Sequence, residues 1–269
     1  MRQKLGQHFL RDRNILNFIA DAASFKKGDI VFEIGPGHGS LTRALLERGA
    51  RLIAFEKDPL LAREVADTFL APLIKDVSHF SIPSAGSAVV VLGDALVLLS
   101  PYCTLLKKKK FFVVGNIPYY ISGALFRSLG WLSFLPERAV FLIQKEVALR
   151  MSAQKGLNAL AAWVGCWADV SIERTVRPGS FSPPPAVMSA VVSLTKKKTS
   201  FCTPVFDRFI GIAFKHPKKT LVSNLREGGF SKEGSLALVA RLGANSDVRA
   251  HTLSLAQLHT GSLLLERFS

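Results

Sequence analysis

Four short segments carry residue types whose spacing suits chemistry on a nucleotide. The first is Gly115-Asn116-Ile117-Pro118-Tyr119-Tyr120. An exocyclic amino nitrogen on a purine is a poor nucleophile, because its lone pair is delocalised into the ring. The Asn116 side-chain oxygen and the Ile117 carbonyl can each accept one N–H of such an amine. Two acceptors draw the nitrogen toward a tetrahedral geometry and free its lone pair for attack. Tyr119 offers a ring on which the base can stack, a contact worth about 1–3 kcal/mol per base. Pro118 stiffens the backbone between them. No strong general base is required, since the alkylated amine is acidic and loses its proton to water or a nearby carbonyl. The plain alternative is an Asn-x-Pro turn with an aromatic plug.

The other three segments suit the holding of a nucleoside. Glu33-Ile34-Gly35-Pro36-Gly37-His38-Gly39 sets glycines at alternate positions, which lets the backbone turn sharply and approach a ligand closely. The spacing is G-x-G-x-G, not the dinucleotide G-x-G-x-x-G. It suits a zwitterionic tail better than a pyrophosphate, although an ordinary tight strand–helix turn has the same look. Glu56 follows 21 positions after Gly35, where a carboxylate can accept both hydroxyls of a ribose. It could equally be a surface acid paired with Lys57. Gly93-Asp94 offers acceptor oxygens for the amino group of an adenine.

These segments must sit at the carboxyl ends of strands to share one crevice. The sequence supplies the strands. Asp29–Ile34, Arg51–Phe55, Ala88–Leu92, Phe111–Val114 and Arg138–Ile143 are short β-branched or aromatic runs that suit strands buried on both faces. Helical spacing lies between them at Ser40–Arg48, Pro59–Phe69, Ser122–Trp131 and Glu146–Ala153. The alternation predicts an α/β fold with a parallel sheet. Val170–Val176 and Val187–Leu194 flank the turn-rich Arg177–Pro185 and suit an antiparallel pair added at the sheet's edge. Lys196–Lys198 reads as a linker. Beyond it helices are expected at Pro204–Phe214, Lys218–Leu225, Lys232–Leu242 and Ser254–Arg267. The division expected is residues 1–195 as a catalytic domain and 196–269 as a small all-α domain.

The 269 residues carry 35 Lys and Arg against 20 Asp and Glu, a formal charge of +15. Such an excess points to a polyanion, either nucleic acid or an anionic membrane, or else to a basic solvated surface. Residues 196–269 hold 12 basic and 5 acidic residues, so the helical tail is the denser positive surface and a natural place to grip phosphates. Lys107–Lys110 forms a second cluster, which could be no more than a solvated loop. Cys103, Cys166 and Cys202 are widely spaced and offer no disulfide framework, which suits a reduced, cytosolic setting. Cys103 or Cys202 could act as a nucleophile, but neither has a histidine in a recognisable motif beside it. The apolar stretch Ala85–Leu106 contains Gly93, Asp94 and Pro101, which argues against a membrane span. The six histidines form no ligand set, and no metal is expected.

The segments resemble, in order, those of the small-subunit ribosomal RNA adenine dimethyltransferases, the KsgA/RsmA family. Asn116-Ile-Pro-Tyr119 fits the N-[ILP]-P-[YF] pattern of enzymes that methylate exocyclic amino nitrogens. The likeness includes Gly6-Gln-His-Phe-Leu10, Glu33-Ile-Gly-Pro-Gly37, Glu56, Asp94 and Gln144-Lys-Glu-Val147. It continues through Phe181-Ser-Pro-Pro-Pro185, Val187–Val192, Ala213-Phe214 and Lys218-Lys-Thr220.

The resemblance implies a Rossmann-like class I methyltransferase sheet followed by the helical domain. It implies S-adenosylmethionine as methyl donor and no metal, because the sulfonium carries its own activated methyl group. The implied substrate is N6 of two adjacent adenosines in the 3′-terminal hairpin loop of small-subunit (16S) rRNA. Each is methylated twice, within the assembling 30S subunit, by a cytoplasmic monomer with no membrane partner. By position, His8, Leu10, Gly35, Gly37, Glu56, Asp94 and Asn116 match the cofactor pocket. Asn116, Ile117, Pro118 and Tyr119 match the catalytic motif, and Phe181 the second aromatic that sandwiches the flipped base. Lys145, Arg150, Lys215, Lys218 and Lys219 match RNA-contacting positions. His8 stands where the family often has Asn; a backbone contact tolerates that, and a side-chain amide contact does not. Pro217 interrupts or restarts a helix that the family's basic segment carries. Two other readings remain at this point: a large-subunit rRNA methyltransferase of the erythromycin-resistance type, and a non-catalytic relative that only binds RNA during assembly.

Overall fold

The computed structural model describes residues 8–117, 121–153 and 156–267. The chain opens with β1 (Phe9–Leu10), α1 (Arg13–Ala22), β2 (Ile30–Ile34), α2 (Ser40–Glu47), β3 (Arg51–Glu56) and α3 (Pro59–Thr68). It continues through β4 (Leu73–Ile74), β5 (Ala88–Leu92), α4 (Ala95–Leu105), β6 (Phe111–Asn116), α5 (Ser122–Leu129) and β7 (Arg138–Gln144). Helices α6 (Lys145–Met151) and α7 (Ala159–Gly165) precede β8 (Ala168–Val176), β9 (Phe181–Ser182) and β10 (Ser189–Lys196). Four helices follow: α8 (Pro204–Ala213), α9 (Leu221–Glu227), α10 (Lys232–Arg241) and α11 (Leu255–Leu264).

The five expected buried runs become strands of one eight-stranded sheet, ordered β4-β5-β3-β2-β6-β7-β10-β8. Pairs β4–β5, β5–β3, β3–β2, β2–β6 and β6–β7 are parallel, and β10 runs antiparallel to β7. After β2 the chain goes first to the β3 side and later returns to the β6 side. That reversal makes the carboxyl ends of β2 and β6 the topological switch point, the usual place for a ligand crevice. A second, two-stranded sheet pairs β1 with β9 antiparallel, setting Leu10 opposite Phe181.

The central strands β2, β3, β5, β6 and β7 are mostly apolar and buried because both faces are covered. Phe32 packs its ring against Phe55 at 5.3 Å and Phe111 at 5.1 Å between centroids, which ties β2, β3 and β6 together. Helices α1, α4 and α7 lie where none was expected. In α1 the Asp12 carboxylate caps the amide groups of Asn14 and Ile15, and Ile15, Leu16, Ile19 and Ala20 form the buried face. Helix α4 forms despite Pro101, because Asp94 caps it and Leu99, Tyr102 and Cys103 bury on one side. No helix among the described residues is long and apolar enough to cross a membrane.

The chain divides into two compact units. One comprises Met1–Ala148 and Val170–Lys196, and holds the sheet; the other comprises Leu149–Asp169 and Lys197–Ser269, and is helical. In the helical unit α7 packs on α8, and α11 on α8. The Phe201 amide donates to the Cys166 carbonyl at 3.1 Å, beside a Cys166–Cys202 disulfide. This corrects the expectation of three unpaired thiols. A separation of 36 positions hid the pair, and the packing of α7 against the start of the tail brings the two Cα atoms to 5.5 Å. Cys103 is buried, its Sγ donates to the Phe134 carbonyl, and burial pushes its thiol up, away from a reactive thiolate.

Candidate active site

Glycine conformation builds the crevice wall. Gly35, Gly37 and Gly39 all have left-handed backbones, with φ of +68°, +58° and +78°. Gly37 is also tightly packed, since a Cβ there would lie 3.1 Å from the Phe9 ring and the ring would have to give way. The Phe9 ring in turn rests on His38, 4.4 Å between centroids, and His38 reaches Glu64 at 2.8 Å. Gly115, one position before Asn116, answers a different constraint. A Cβ there would fall 2.8 Å from the Ile34 carbonyl oxygen, so the close approach of β2 and β6 at the switch point demands glycine.

Glu56 is 6% exposed and is held from behind by the loop that it faces. Its Oε2 accepts from the Gly37 amide at 3.2 Å and its Oε1 from the Asp58 amide at 2.9 Å. Burial raises its pKa, with those backbone hydrogen bonds working against the rise. Deeper in β2, Glu33 is wholly buried. The Thr42 hydroxyl donates to its Oε2 at 2.7 Å, and its Oε1 has no partner. Burial, opposed by Thr42 and reinforced by the Glu56 charge, pushes Glu33 up to about 8. It is therefore a neutral carboxylic acid at neutral pH. In the sequence Glu33 stands out only as the first residue of the glycine motif; the signal for its state is its place inside a strand buried on both faces.

Asn116 ends β6 with its Nδ2 donating to the His8 carbonyl at 3.3 Å. That bond assigns Oδ1, the other amide atom, the acceptor role. The His8 main chain thus orients Asn116, while its ring nitrogen Nδ1 pairs with the Pro183 carbonyl at 2.8 Å. A cavity of about 270 Å³ lies here, just below the range of about 300–1,000 Å³ for small-ligand sites. His8, Leu10, Gly35, Gly37, Glu56, Asn116 and Ile117 all line it, as does Arg11. Among the described residues there is no group of three or more metal-binding side chains.

Several expected site residues stand apart from this cavity. Asp94 caps α4, accepting from the Leu96 amide at 3.0 Å, and its Oδ2 accepts from Lys57 Nζ at 2.9 Å. Burial pushes Asp94 up, but the Lys57 and Leu96 hydrogen bonds outweigh it and hold the carboxyl low. The alternative Glu56–Lys57 pairing is replaced by this Lys57–Asp94 pair. Phe181 is 6% exposed, belongs to the core cluster that contains Leu10, Leu16 and Val176, and is not among the residues that line the cavity. Pro118 and Tyr119 lie outside the described residues.

The basic positions are exposed at Lys145, Arg150, Lys215, Lys218 and Lys219. The helix expected from Lys218 begins instead at Leu221, where the Thr220 hydroxyl caps the Ser223 amide at 3.2 Å. Lys215, Lys218 and Lys219 therefore sit on a loop around Pro217. Glu227 pairs with both Lys219 and His216, which neutralises part of the positive charge on this loop. The buried Asn224 shapes the loop. Its Nδ2 donates to the Ala213 and His216 carbonyls at 2.8 and 3.1 Å, and its Oδ1 accepts from the His216 amide at 3.2 Å. Nothing in the sequence marked it. Asn224→Ala is expected to cost about 1–3 kcal/mol, because it strands buried polar backbone. A lower urea midpoint at unchanged slope, together with weaker RNA binding, is the expected result; an unchanged midpoint would contradict this account of the loop.

A family model described as "Ribosomal RNA adenine dimethylase" matches residues 1–266. The chain is 40% identical over 267 residues to a ribosomal RNA small subunit methyltransferase A of Deinococcus radiodurans, covering 95% of this chain and 82% of that one. It is 36% identical to the protein of the same description from Caulobacter vibrioides, covering 95% and 93%. Among solved structures, a dimethyladenosine transferase from Plasmodium falciparum superposes with a TM-score of 0.76 at 27% identity, over 97% of this chain and 98% of that one. The 23S rRNA methyltransferase ErmE superposes with a TM-score of 0.68 at 22% identity, over 96% and 99%, a likeness of fold. The sheet with its switch-point cavity, Asn116 and Ile117 lining it, and a match along almost the whole length agree: the chain belongs to the ribosomal RNA adenine dimethylase family.

Proposed function

We propose that this protein transfers methyl groups from S-adenosylmethionine to N6 of two adjacent adenosines in the 3′-terminal hairpin loop of small-subunit rRNA, giving N6,N6-dimethyladenosines during subunit assembly. The observation that carries the reading is Asn116 at the switch point, its amide oriented by the His8 carbonyl so that Oδ1 accepts.

The residues fit the cofactor. Gly35 and Gly37 have left-handed backbones and line the cavity, and the Glu56 carboxylate is fixed by two backbone amides where a ribose diol would be met. Glu56 would hold the ribose hydroxyls, the Gly35–Gly37 backbone the amino-acid tail, and Asp94 the adenine amino group. S-adenosylmethionine supplies, when bound, an activated methyl group on a sulfonium. Asn116 Oδ1 and the Ile117 carbonyl would accept the two N6–H bonds of the target adenine and so localise its lone pair toward that methyl. Tyr119 would stack on the base, which must leave its neighbours to enter the pocket; a hairpin loop makes this cheap. Phe181 would stack on the base from the side opposite Tyr119. The exposed Lys145, Arg150, Lys215 and Lys218 would grip phosphates, setting position, while the pocket selects the base. A cytoplasmic setting, where small subunits assemble, follows from the same reading.

The test is labelled methyl transfer onto unmethylated small and large ribosomal subunits, with the modified nucleotide identified by mass. Label is expected in small subunits, as dimethyladenosine. Label confined to large subunits would refute the substrate, and no label with intact cofactor binding would favour a non-catalytic assembly factor.

A further inference from the structure

The Lys107–Lys110 run precedes β6, whereas Asn116 ends it, so the two lie at opposite edges of the sheet. Six residues at about 3.3 Å each separate them by about 20 Å. The run does not stand alone. Ile30 of β2 is in register with Phe111, which brings the loop before β2 alongside it. That loop carries the exposed Lys26 and Lys27. Both loops meet at one carboxylate: Asp29 Oδ2 accepts from the Lys26 amide at 2.8 Å and lies 3.9 Å from Lys110 Nζ. Lys27 lies across Gly49, whose Cβ would fall 2.6 Å from Lys27 Cγ, so its stem is laid down on the surface. Lys107 and Lys108 adopt left-handed backbones, φ 48° and 69°, at the turn into β6. Lys26, Lys27 and Lys107–Lys110 thus share one edge around Asp29, whose carboxylate is already engaged by the Lys26 backbone and the Lys110 ammonium.

We propose that this amino-terminal edge of the sheet is a second RNA-binding surface, which holds the phosphates of a small-subunit rRNA segment other than the hairpin at the Asn116 pocket. Phosphate oxygens are the chemistry that clustered, exposed ammonium groups in excess of nearby carboxylates recognise. The position explains the use. A surface about 20 Å from the pocket cannot reach the nucleotide being modified, but can reach a neighbouring helix of a folded subunit. The enzyme would then read an arrangement of RNA at two points, which a loose hairpin does not offer. The proposal rests on the rRNA substrate reading above.

The test is the variant Lys26→Gln, Lys107→Gln, Lys108→Gln, Lys109→Gln, which leaves Lys110 and its approach to Asp29 in place. Binding to unmethylated small subunits is measured across salt concentrations, alongside S-adenosylmethionine affinity. The salt slope should become shallower by up to about 0.9 for each phosphate that the edge no longer neutralises, with about a tenfold or greater fall in subunit affinity at moderate salt. Cofactor affinity and the rate at saturating subunits should be unchanged. The charge-reversed Lys→Glu set should bind more weakly still. An unchanged slope and affinity in both variants would overturn the proposal. If the variant instead weakens binding only to phosphatidylserine vesicles, the edge is a membrane contact and the proposal fails. A wild-type protein that shows no salt-dependent subunit binding would defeat the substrate reading itself, a separate outcome.

Discussion

Replacing Asn116 with alanine is expected to lower kcat for methyl transfer by about 10²–10³-fold, the usual cost of deleting one fixed polar group that acts on a reacting atom. RNA affinity should persist. The argument has two parts. The target nitrogen becomes nucleophilic only when its hydrogens are drawn away from the ring plane, and alanine supplies no acceptor. The geometry then fixes which amide atom accepts, because Nδ2 is engaged by the His8 carbonyl at 3.3 Å. Asn116→Asp separates the parts. It keeps an acceptor but sets a carboxylate oxygen against the His8 carbonyl, so it should fall between alanine and wild type. Single-turnover kinetics with saturating S-adenosylmethionine would check both. Equal rates for wild type and Asn116→Ala would remove the assignment.

Glu33→Gln is expected to raise stability by an amount that grows with pH. The folded carboxyl titrates at about 8, well above its ordinary value of 4.5. Below pH 4.5 the group is protonated in both folded and unfolded chains, and the variant gains nothing. Above it the unfolded chain ionises while the folded one stays neutral, so wild type loses stability steadily until pH reaches about 8. Gln imitates the neutral acid. Its carbonyl can accept from Thr42, and its amide replaces the carboxyl oxygen that has no partner in any case. The melting temperatures should coincide near pH 4.5 and separate through neutrality. A gap of at least about 2–4 °C is expected above pH 8, the equivalent of about 1 kcal/mol for a domain of this size. A gap independent of pH would mean that Glu33 is ionised in the fold.

The catalytic edge was legible in the sequence because its residues follow strands whose apolar runs need no tertiary information. Glu56, the Gly35–Gly37 turn and Asn116 sit where a doubly wound sheet puts ligand-binding residues, and one cavity joins them. The short β1–β9 pair was not legible. Two-residue strands have no periodicity, and Phe9 and Leu10 pair with residues far along the chain, Ser182 and Phe181. The pairing sets Phe181, which the motif offers to a flipped base, opposite Leu10. Asp94 shows the same limit. Its position after β5 was readable, but the ion pair with Lys57 depends on how β3 and β5 end side by side.

The sequence alone determined the buried strands of the sheet, the family and the identity of the groups offered to cofactor and base, since these follow from local pattern and from motifs in fixed order. Tertiary structure decided what those groups meet. It gave Asn116 its orientation through a carbonyl 108 positions away, kept Glu33 neutral by burial, and joined Cys166 to Cys202. It also placed Lys26, Lys27 and Lys107–Lys110 on one edge, because strands distant in sequence lie in register. The physical reason is common to all of these. Charge state, hydrogen-bond direction and clustering depend on neighbours in space, and only the packed sheet brings those neighbours together.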